Sequence, residues 1–326
     1  MKNSLIVLTL VLIFKIIFLN LGFAQDQFNF DVTEIEINEK GNKYKGLKRG
    51  TISTNDGVYI DADTFEFDKV TNILNAYGNV IIKDKKNNLT INSEDITFLR
   101  NENKIFTKTR SKAFSNDIYI DADSLEYDKK LNTLNAKGNV KVNEKVKKLI
   151  INSDEVTYYK DSEIFISQYR SEAIGEGLII KADEFEYNNI LNIVNANRNV
   201  KIVDKVNDII LLSENITYLK NKEKIFTQGN TETFVESKYN FVSKDTVLLR
   251  NEMQLSSAQQ STLKDDDGSV YNLSSFDYSI NQKILKGKNV NVTTNFEKEK
   301  SDQFFFSSGI FNLNNKNFTG KDTKIS

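Results

Sequence analysis

Carboxylates are the residues that could do chemistry in this chain of 326 residues, which contains no His and no Cys. Asp61 and Asp63 stand two positions apart, as do Asp121 and Asp123, which places each pair on one face of a strand. Such pairs can hold calcium or exchange protons. Lys181 replaces the first acid in a third copy of the segment, so we interpret the acids as a solvated outer face.

The composition excludes most catalytic and metal chemistry. Without His and Cys there is no Ser/His or Cys/His nucleophile pair and no imidazole or thiolate zinc site. The acidic segment KDDDG at 264–268 is interpreted as a loop. We therefore expect no catalytic residue, no metal and no cofactor, and a protein that is not an enzyme. The balance of 44 basic and 45 acidic residues gives no basic bias, so nucleic acid is not an expected partner.

The N-terminus has the pattern of a secretory signal peptide. A short basic start is followed by an apolar run and by small residues up to Ala24, which predicts cleavage before Gln25. The alternative is a retained membrane anchor, but Lys15 divides the apolar run into segments too short to span comfortably. The predicted domain organisation is a signal peptide (1–24), an N-terminal edge strand and linker (25–57) and a repeat domain (58–326).

A repeated phrase organises the rest of the chain. IDADTFEFDKVTNILNAYGNV begins at Ile60 and returns from Ile120 and from Ile180. A fainter half-copy, INSEDITF, begins at Ile91, so the unit is about thirty residues long. Further half-copies and weaker copies begin at Ile151, Leu211, Phe241, Tyr271 and Phe306.

Within each unit the apolar residues alternate with polar ones, which is the period of a strand. The step of three from Ala62 to Phe65 breaks the alternation once, as a bulge or corner would, so that both flanking pieces can face inward. Clusters such as DKVTN, KDKKNN and RNENK are typical of turns. Each unit therefore reads as two short strands with one apolar face.

Stacked units give the predicted fold class, an all-β, elongated and twisted roll of strands. Two strands alone cannot bury their apolar face, but stacking lets each strand bond to its successor. About nine units at about 4.8 Å per strand would extend for roughly 40 Å, with the two inward faces about 10 Å apart.

The combination of motifs resembles the OstA-like (organic-solvent-tolerance) repeat family over about 58–320. The motifs are ADxFEY at 182–187, LNAxGNV at 134–140, SExITY at 213–218 and KIFTxG at 224–229. This family includes periplasmic bridge proteins of lipopolysaccharide transport and, more similar to this chain, the N-terminal periplasmic domain of the outer-membrane lipopolysaccharide-assembly protein. The resemblance implies a β-jellyroll open along one side, whose apolar interior carries acyl chains.

The resemblance also implies partners and a location. The partners are lipopolysaccharide, a periplasmic bridge protein that docks head-to-tail by strand addition, and an outer-membrane β-barrel with its lipoprotein plug. The β-barrel would be either the missing C-terminal part of this protein or a separate chain. The expected location is the periplasm, in association with the outer membrane. An alternative function is an extracellular structural or adhesive β-solenoid, packed dry and without lipid cargo. A β-helical polysaccharide-processing enzyme is less favoured because no non-repeating cluster of charged residues stands out.

The candidate site residues follow from the same resemblance. The inward face mixes small and large residues, which could leave a channel between the large side chains. A tightly packed core could show the same mixture, and for any single residue core packing is the alternative. The docking-edge candidates are Phe28, Phe30 and Val32, in the segment 28–37, and the alternative is a strand that merely caps the roll. Arg198, which replaces Gly78 and Gly138, is where the repeat pattern is expected to change. The lipid-groove candidates are Ile60, Phe65, Phe67, Ile96, Phe98, Ile120, Leu125, Tyr127, Val156, Tyr158, Phe185, Tyr187, Ile216 and Tyr218.

Overall fold

The computed structural model describes residues 28–294 and 302–325, so the predicted signal peptide lies outside the described residues. The described chain is all-β, as predicted, with 29 strands in one continuous sheet and two single turns of 3-10 helix, Glu39–Gly41 and Lys220–Lys222. Within these residues there is no helix with the length and apolar character needed to cross a membrane.

The strands follow one another along the chain with short turns between them. In order they are β1 (Phe28–Val32), β2 (Ile35–Asn38), β3 (Lys43–Gly46), β4 (Gly50–Thr54), β5 (Val58–Ala62), β6 (Thr64–Asp68), β7 (Ile73–Asp84), β8 (Leu89–Leu99), β9 (Lys104–Phe106), β10 (Ser111–Ser115), β11 (Ile118–Ala122), β12 (Ser124–Asp128), β13 (Thr133–Glu144), β14 (Leu149–Tyr159), β15 (Ile164–Gly175), β16 (Leu178–Asn188), β17 (Ile193–Asp204), β18 (Ile209–Leu219), β19 (Lys224–Val235), β20 (Tyr239–Lys244), β21 (Val247–Leu249), β22 (Gln254–Ser257), β23 (Ser261–Lys264), β24 (Val270–Leu273), β25 (Ser275–Ser279), β26 (Ile284–Thr293), β27 (Gln303–Asn312), β28 (Asn317–Lys321) and β29 (Lys324–Ile325).

Each strand, or consecutive pair of short strands, bends once in the middle. In β7 the register against β8 shifts between Tyr77 and Val80, and the bend between β5 and β6 falls at Asp63. This is the corner that the step from Ala62 to Phe65 predicts. Aligned corners divide the sheet into two layers, called layer A (β1, β4, β5 and the pieces bonded to them) and layer B (β2, β3, β6 and the pieces bonded to them).

Successive bent strands pair antiparallel and form a meander. The turns that connect them lie alternately at the edge of layer A and at the edge of layer B. The sequence DKVTN forms one of these turns because Asp68 Oδ1 accepts hydrogen bonds from the backbone N–H groups of Val70 and Thr71. Asn72 completes the turn with a positive φ of 58°, a conformation that Asn tolerates better than most residues.

The two layers face each other, and aromatic rings meet across the space between them. Phe28 of layer A lies 5.0 Å from Phe67 and 5.6 Å from Phe98 of layer B, measured between ring centroids. Near the other end, Phe241 of layer A lies 5.0 Å from Phe276 of layer B. Buried apolar side chains from both layers form one continuous core along the described chain.

The predicted length of roughly 40 Å is wrong. That estimate advanced the stack by one strand spacing for each unit of about thirty residues. In the structure both bent strands of a unit pair in the same sheet, as β7 does with β8, so each unit advances the stack by two spacings. About twenty bent strands at about 4.8 Å give a body of roughly 90 Å.

The segment before the repeat is already part of the sheet. Strands β1 to β4 lie within 28–54, where the sequence suggested an edge strand followed by a linker. β1 pairs with β4 alone and β2 with β3 alone, so their bent strand is an edge. The proposed domain boundaries themselves stay predictions.

Candidate functional site: the apolar interior and its polar mouth

The predicted lipid-groove residues all point into the interior between the layers. Each is buried, with side chains at most 9% exposed, which is the value for Phe67. The interior is therefore filled by these side chains themselves, and a guest chain would have to displace packing. Whether lipid contacts these residues stays a prediction.

The sequence prediction described mainly one wall of this interior. Apart from Ile60 and Ile120, its residues belong to layer B. The sequence predicted two inward faces, but the list of lipid-groove candidates left out most of the facing wall of layer A, whose positions also alternate and are equally buried. This wall includes Val58, Ile82, Leu89, Ile91, Val142, Leu149, Ile151, Leu178, Ile180, Ile202, Ile209 and Leu211.

Several interior tyrosines carry their hydroxyl groups to the side of the molecule opposite the corner. The Tyr127 hydroxyl donates to Asp84 Oδ2 at 3.0 Å, and the Tyr218 hydroxyl donates to Glu223 Oε1 at 2.7 Å. The Tyr187 hydroxyl donates to Asn189 Oδ1 at 3.0 Å. Burial is the main reason that the pKa of each tyrosine is raised. These rings thus form the boundary between the apolar interior and a polar rim.

That rim is the mouth of the fold, where the turns of layer A face the turns of layer B. Side chains bridge the mouth along the whole described body, and we call this row of contacts the polar seam. Its basic members lie on turns spaced along the sequence, and its partners lie mainly on the opposite layer. The basic members are Arg100, Lys129, Lys147, Lys160, Lys220, Arg250, Lys283 and Lys316.

The N-terminal part of the polar seam is ion-paired. Lys129 Nζ of layer B lies 2.6 Å from Asp56 Oδ2 and 3.7 Å from Asp84 Oδ2 of layer A. Arg100 NH2 lies 3.1 Å from Asp56 Oδ1. Burial acts to raise the pKa of Asp56, but hydrogen bonds from Lys129, Thr54 and Arg100 outweigh it and hold the pKa well below its usual range. Ion pairs between the two layers therefore close this part of the mouth, and the basic residues keep Asp56 ionised.

The C-terminal part is ion-paired as well. Arg250 Nε of layer B lies 2.8 Å from Asp204 Oδ2 of layer A, and both side chains are buried. Arg250 also pairs with Glu223. Burial acts to raise the pKa of Asp204, but hydrogen bonds from Arg250 and Asn207 lower it overall. Further along, Lys283 pairs with Glu236.

The middle of the polar seam is built differently. Lys160 Nζ donates to Ser115 Oγ, Lys147 Nζ donates to the backbone oxygen of Asn189, and Lys220 Nζ donates to the backbone oxygen of Lys147 at 3.3 Å. These acceptors are neutral. Burial lowers the pKa of Lys160 and of Lys220. Three lysines therefore lie at the mouth with neutral oxygen partners between two ion-paired stretches.

The acidic pairs singled out in the sequence lie at the corner, on the side opposite the mouth. Asp63 Oδ2 accepts a hydrogen bond of 2.9 Å from Asn79, and Asp123 Oδ2 accepts one of 2.6 Å from Asn139. Asp61 pairs with Arg49 at 3.0 Å. The acids are partly exposed, but at the corner they have a structural role, which the interpretation as a solvated face did not include.

Arg198 does not disturb the corner in the third copy. It has a positive φ of 61°, where Gly78 has 77°, and the register shift in β17 falls at the same place. Arg198 NH2 pairs with Glu184 Oε1 at 2.6 Å, and Asn199 keeps the hydrogen bond to Asp183 at 2.7 Å. The third copy differs from the first two in this exposed ion pair and in its strand, since β16 runs through the corner without the interruption between β5 and β6.

The open cavities lie along the corner and not in the interior. One of about 690 Å³ is lined by residues that include Asn139, Ser153 and Asp183, and one of about 720 Å³ by residues that include Asn199 and Ser213. These two cavities are shallow and partly polar, which does not fit an acyl chain.

One group of carboxylates among the described residues has spacing suited to a metal ion, Asp265, Asp266 and Asp267. Lys316 Nζ lies 3.0, 3.1 and 2.9 Å from their oxygens. An ammonium group therefore already occupies the centre of the group, and the turn closes the C-terminal end of the polar seam.

Comparisons with known proteins do not assign this architecture to a family. No family model and no curated protein matches the sequence. Among solved structures, LptH of Pseudomonas aeruginosa, the LptA-homologous periplasmic component of the lipopolysaccharide transport device, aligns at 12% identity with a TM-score of 0.32, over 35% of this chain and 84% of LptH. The WD40 domain of SCAP from fission yeast aligns at 9% identity with a TM-score of 0.12, over 92% and 90% of the two chains. TM-scores this low carry no argument about function.

Proposed function

We propose that the protein is a non-catalytic carrier that shields the acyl chains of lipopolysaccharide between its two layers. The observation that carries the proposal is the single apolar core that runs the length of the described body. Each buried methylene of a lipid contributes about 0.8 kcal/mol, so acyl chains need such a path to leave water. The sequence resemblance to the OstA-like repeats supports lipopolysaccharide as the cargo.

Partners and location belong to the same proposal. We place the protein in the periplasm after removal of 1–24, in association with the outer membrane. The free edge of β1 and β2 is the surface for a bridge protein that adds a strand head-to-tail. Phe28 itself packs on Phe67 and Phe98, so docking would use the strand's backbone and the half-buried Phe30 and Val32.

Photo-crosslinking tests whether the interior carries lipid. A crosslinking amino acid replacing Phe98 or Tyr127, both buried in the interior, is expected to capture lipopolysaccharide in cells with active transport. The matched controls are Thr97 and Glu126, the preceding residues on the same strands, which face outward. Capture at all four positions alike, or at none, would reject the interior as the path.

A dry structural or adhesive β-solenoid is the second candidate, and the close packing of the interior favours it. The two functions differ in a simple binding experiment on the purified chain from residue 25 onward. A carrier takes up an apolar fluorescent dye into its interior and releases it when lipopolysaccharide binds, whereas a dry solenoid binds neither the dye nor lipopolysaccharide.

A further inference from the structure

The mouth is the side on which a lipid with a large polar headgroup must be held. At the corner the backbone runs continuously from one layer to the other, as in β7. At the ends of the described body, aromatic clusters around Phe28 and around Phe311 fill the interior. A headgroup cannot enter the apolar interior without losing its hydration, so it has to remain at the mouth.

The mouth is also the side on which the layers can separate. The backbone hydrogen bonds of the turns join neighbouring turns of the same layer. Examples are the bond from Lys85 N to Gly57 O in layer A and the bond from Arg100 N to Asn72 O in layer B. The hydrogen bonds of the polar seam all involve a side chain. Opening the mouth therefore breaks no strand pairing.

The middle of the polar seam offers cations to a headgroup. Lys147, Lys160 and Lys220 donate to neutral oxygens, whereas Lys129 and Arg250 on either side are held by carboxylates. Lys160 is 9% exposed, so an ammonium group is held at the inner edge of the mouth.

Five of the carboxylates near this stretch accept hydrogen bonds from other groups: Asp84, Glu144, Asp161, Glu163 and Glu223. The charge of a sixth, Glu176, acts on Lys220. Glu144 accepts from the backbone N–H of Lys147, and Glu163 accepts from Asn189 Nδ2 at 2.7 Å. Asp161 lies on the same turn as Glu163 and accepts from Asn132. Glu176 lies on the neighbouring turn of layer A. An anion bound to these ammonium groups would replace neutral acceptors with a charged one, which makes a stronger hydrogen bond.

We propose that Lys147, Lys160 and Lys220 form a binding site for the phosphate groups of an acylated lipid, whose chains enter the interior through the mouth at this place. The site rests on the proposed carrier function and adds to it the chemistry of the headgroup and the point of entry.

The test compares purified lipopolysaccharide with the same lipid after enzymatic removal of its phosphates. The variant is Lys147→Gln, Lys160→Gln and Lys220→Gln in one chain. We expect its affinity for the phosphorylated lipid to fall by about tenfold or more, and its affinity for the dephosphorylated lipid to match that of the parent. The control, Lys112→Gln, Lys141→Gln and Lys201→Gln, removes three exposed lysines of layer A and should leave both affinities unchanged.

The outcomes separate the site from the carrier function. If the parent binds neither lipid, the carrier function is rejected. If the parent binds and the triple variant binds both lipids like the parent, or weakens equally for both, only the phosphate site is rejected. If the triple variant does not fold, Lys147→Gln alone, at a half-buried position, should still weaken binding of the phosphorylated lipid more than that of the dephosphorylated lipid.

Discussion

Polar residues that recur in all three copies of the long phrase hold the backbone where it bends or turns. Asp63, Asp123 and Asp183 each accept a hydrogen bond from an asparagine sixteen positions later in the chain. Those asparagines have positive φ angles, 46° at Asn79 for example. The recurrence of these acids is therefore explained by the hydrogen bonds that they accept at the corner.

At the residue scale we predict that Asn79→Ala destabilises the fold by about 1–2 kcal/mol, because Ala tolerates the left-handed conformation poorly and cannot bond Asp63. Asn79→Gly keeps the backbone conformation and loses only the hydrogen bond, so its effect should be smaller. Urea unfolding of both variants measures the difference. Equal losses would show that the left-handed conformation costs nothing at this corner.

A second residue-scale prediction concerns the buried pair of Asp204 and Arg250. Asp204→Asn should lower the free energy of unfolding at pH 7 by about 2–3 kcal/mol, since the buried Arg250 loses the carboxylate that pairs with its Nε and keeps an ion pair with Glu223. Glu66→Gln, which breaks an exposed ion pair with Lys45, should change it by about 0.5 kcal/mol or less.

The same pair predicts the pH dependence of stability. The pKa of Asp204 is lower in the folded chain than in the unfolded one, so its stabilising effect is complete above about pH 4 and is lost as the pH falls through the folded pKa. Thermal unfolding between pH 7 and pH 2.5 should show this loss in the parent and a flatter profile in Asp204→Asn. An unchanged profile in the variant would assign the acid sensitivity to other groups.

At the scale of elements, the alternation of apolar residues and the single step of three were enough to predict bent strands that face inward on both sides of a corner. The way in which the bent strands pair could not be predicted. A stack that advances one strand spacing per repeat unit and a stack that advances one spacing per bent strand bury the same residues, because the units are copies of one phrase. The seam was also missed, although a basic residue follows a strand at Arg100, Lys160, Lys220 and Arg250 at near-regular spacing. The partners of Arg100, Lys160 and Arg250 lie about 45 residues away, and that of Lys220 lies 73 residues away, so no local pattern joins them.

The element-scale prediction is that joining the layers across the mouth blocks lipid loading. Because the chain has no Cys, Glu236→Cys with Lys283→Cys gives a single pair across the seam, which a short bismaleimide can bridge. Lipid loading is measured by the displacement of a fluorescent acyl probe. We expect its rate to fall at least about tenfold after bridging, because the two layers can no longer separate at the bridged pair.

The control pair is Glu232→Cys with Asn240→Cys, which joins neighbouring strands within layer A, where the two side chains already touch at 2.8 Å. Bridging this pair should leave loading unchanged. If the cross-mouth bridge also leaves it unchanged, loading does not require the mouth to open at this pair, and separation of the layers along the whole mouth is rejected.

At the scale of the whole molecule, the fold is a stack in which each bent strand contacts mainly its two neighbours. Such stacks tolerate removal of complete units, because the new neighbours meet the same surfaces as the old ones. The corner, the turns and both apolar walls recur every sixty residues, as Ile60, Ile120 and Ile180 show.

We therefore predict that deletion of residues 120–179 leaves a folded, shorter protein. The deletion joins Tyr119 to Ile180, a direct equivalent of Ile120, and removes four bent strands, so the maximum dimension in small-angle scattering should fall by about 20 Å. Deletion of residues 133–147 removes one bent strand with its turn, which reverses the direction of every later strand and exchanges the two layers. That variant should fail to fold cooperatively in circular dichroism. If both deletions unfold alike, contacts beyond nearest neighbours stabilise the body, and the stack does not behave as a sum of equivalent strands.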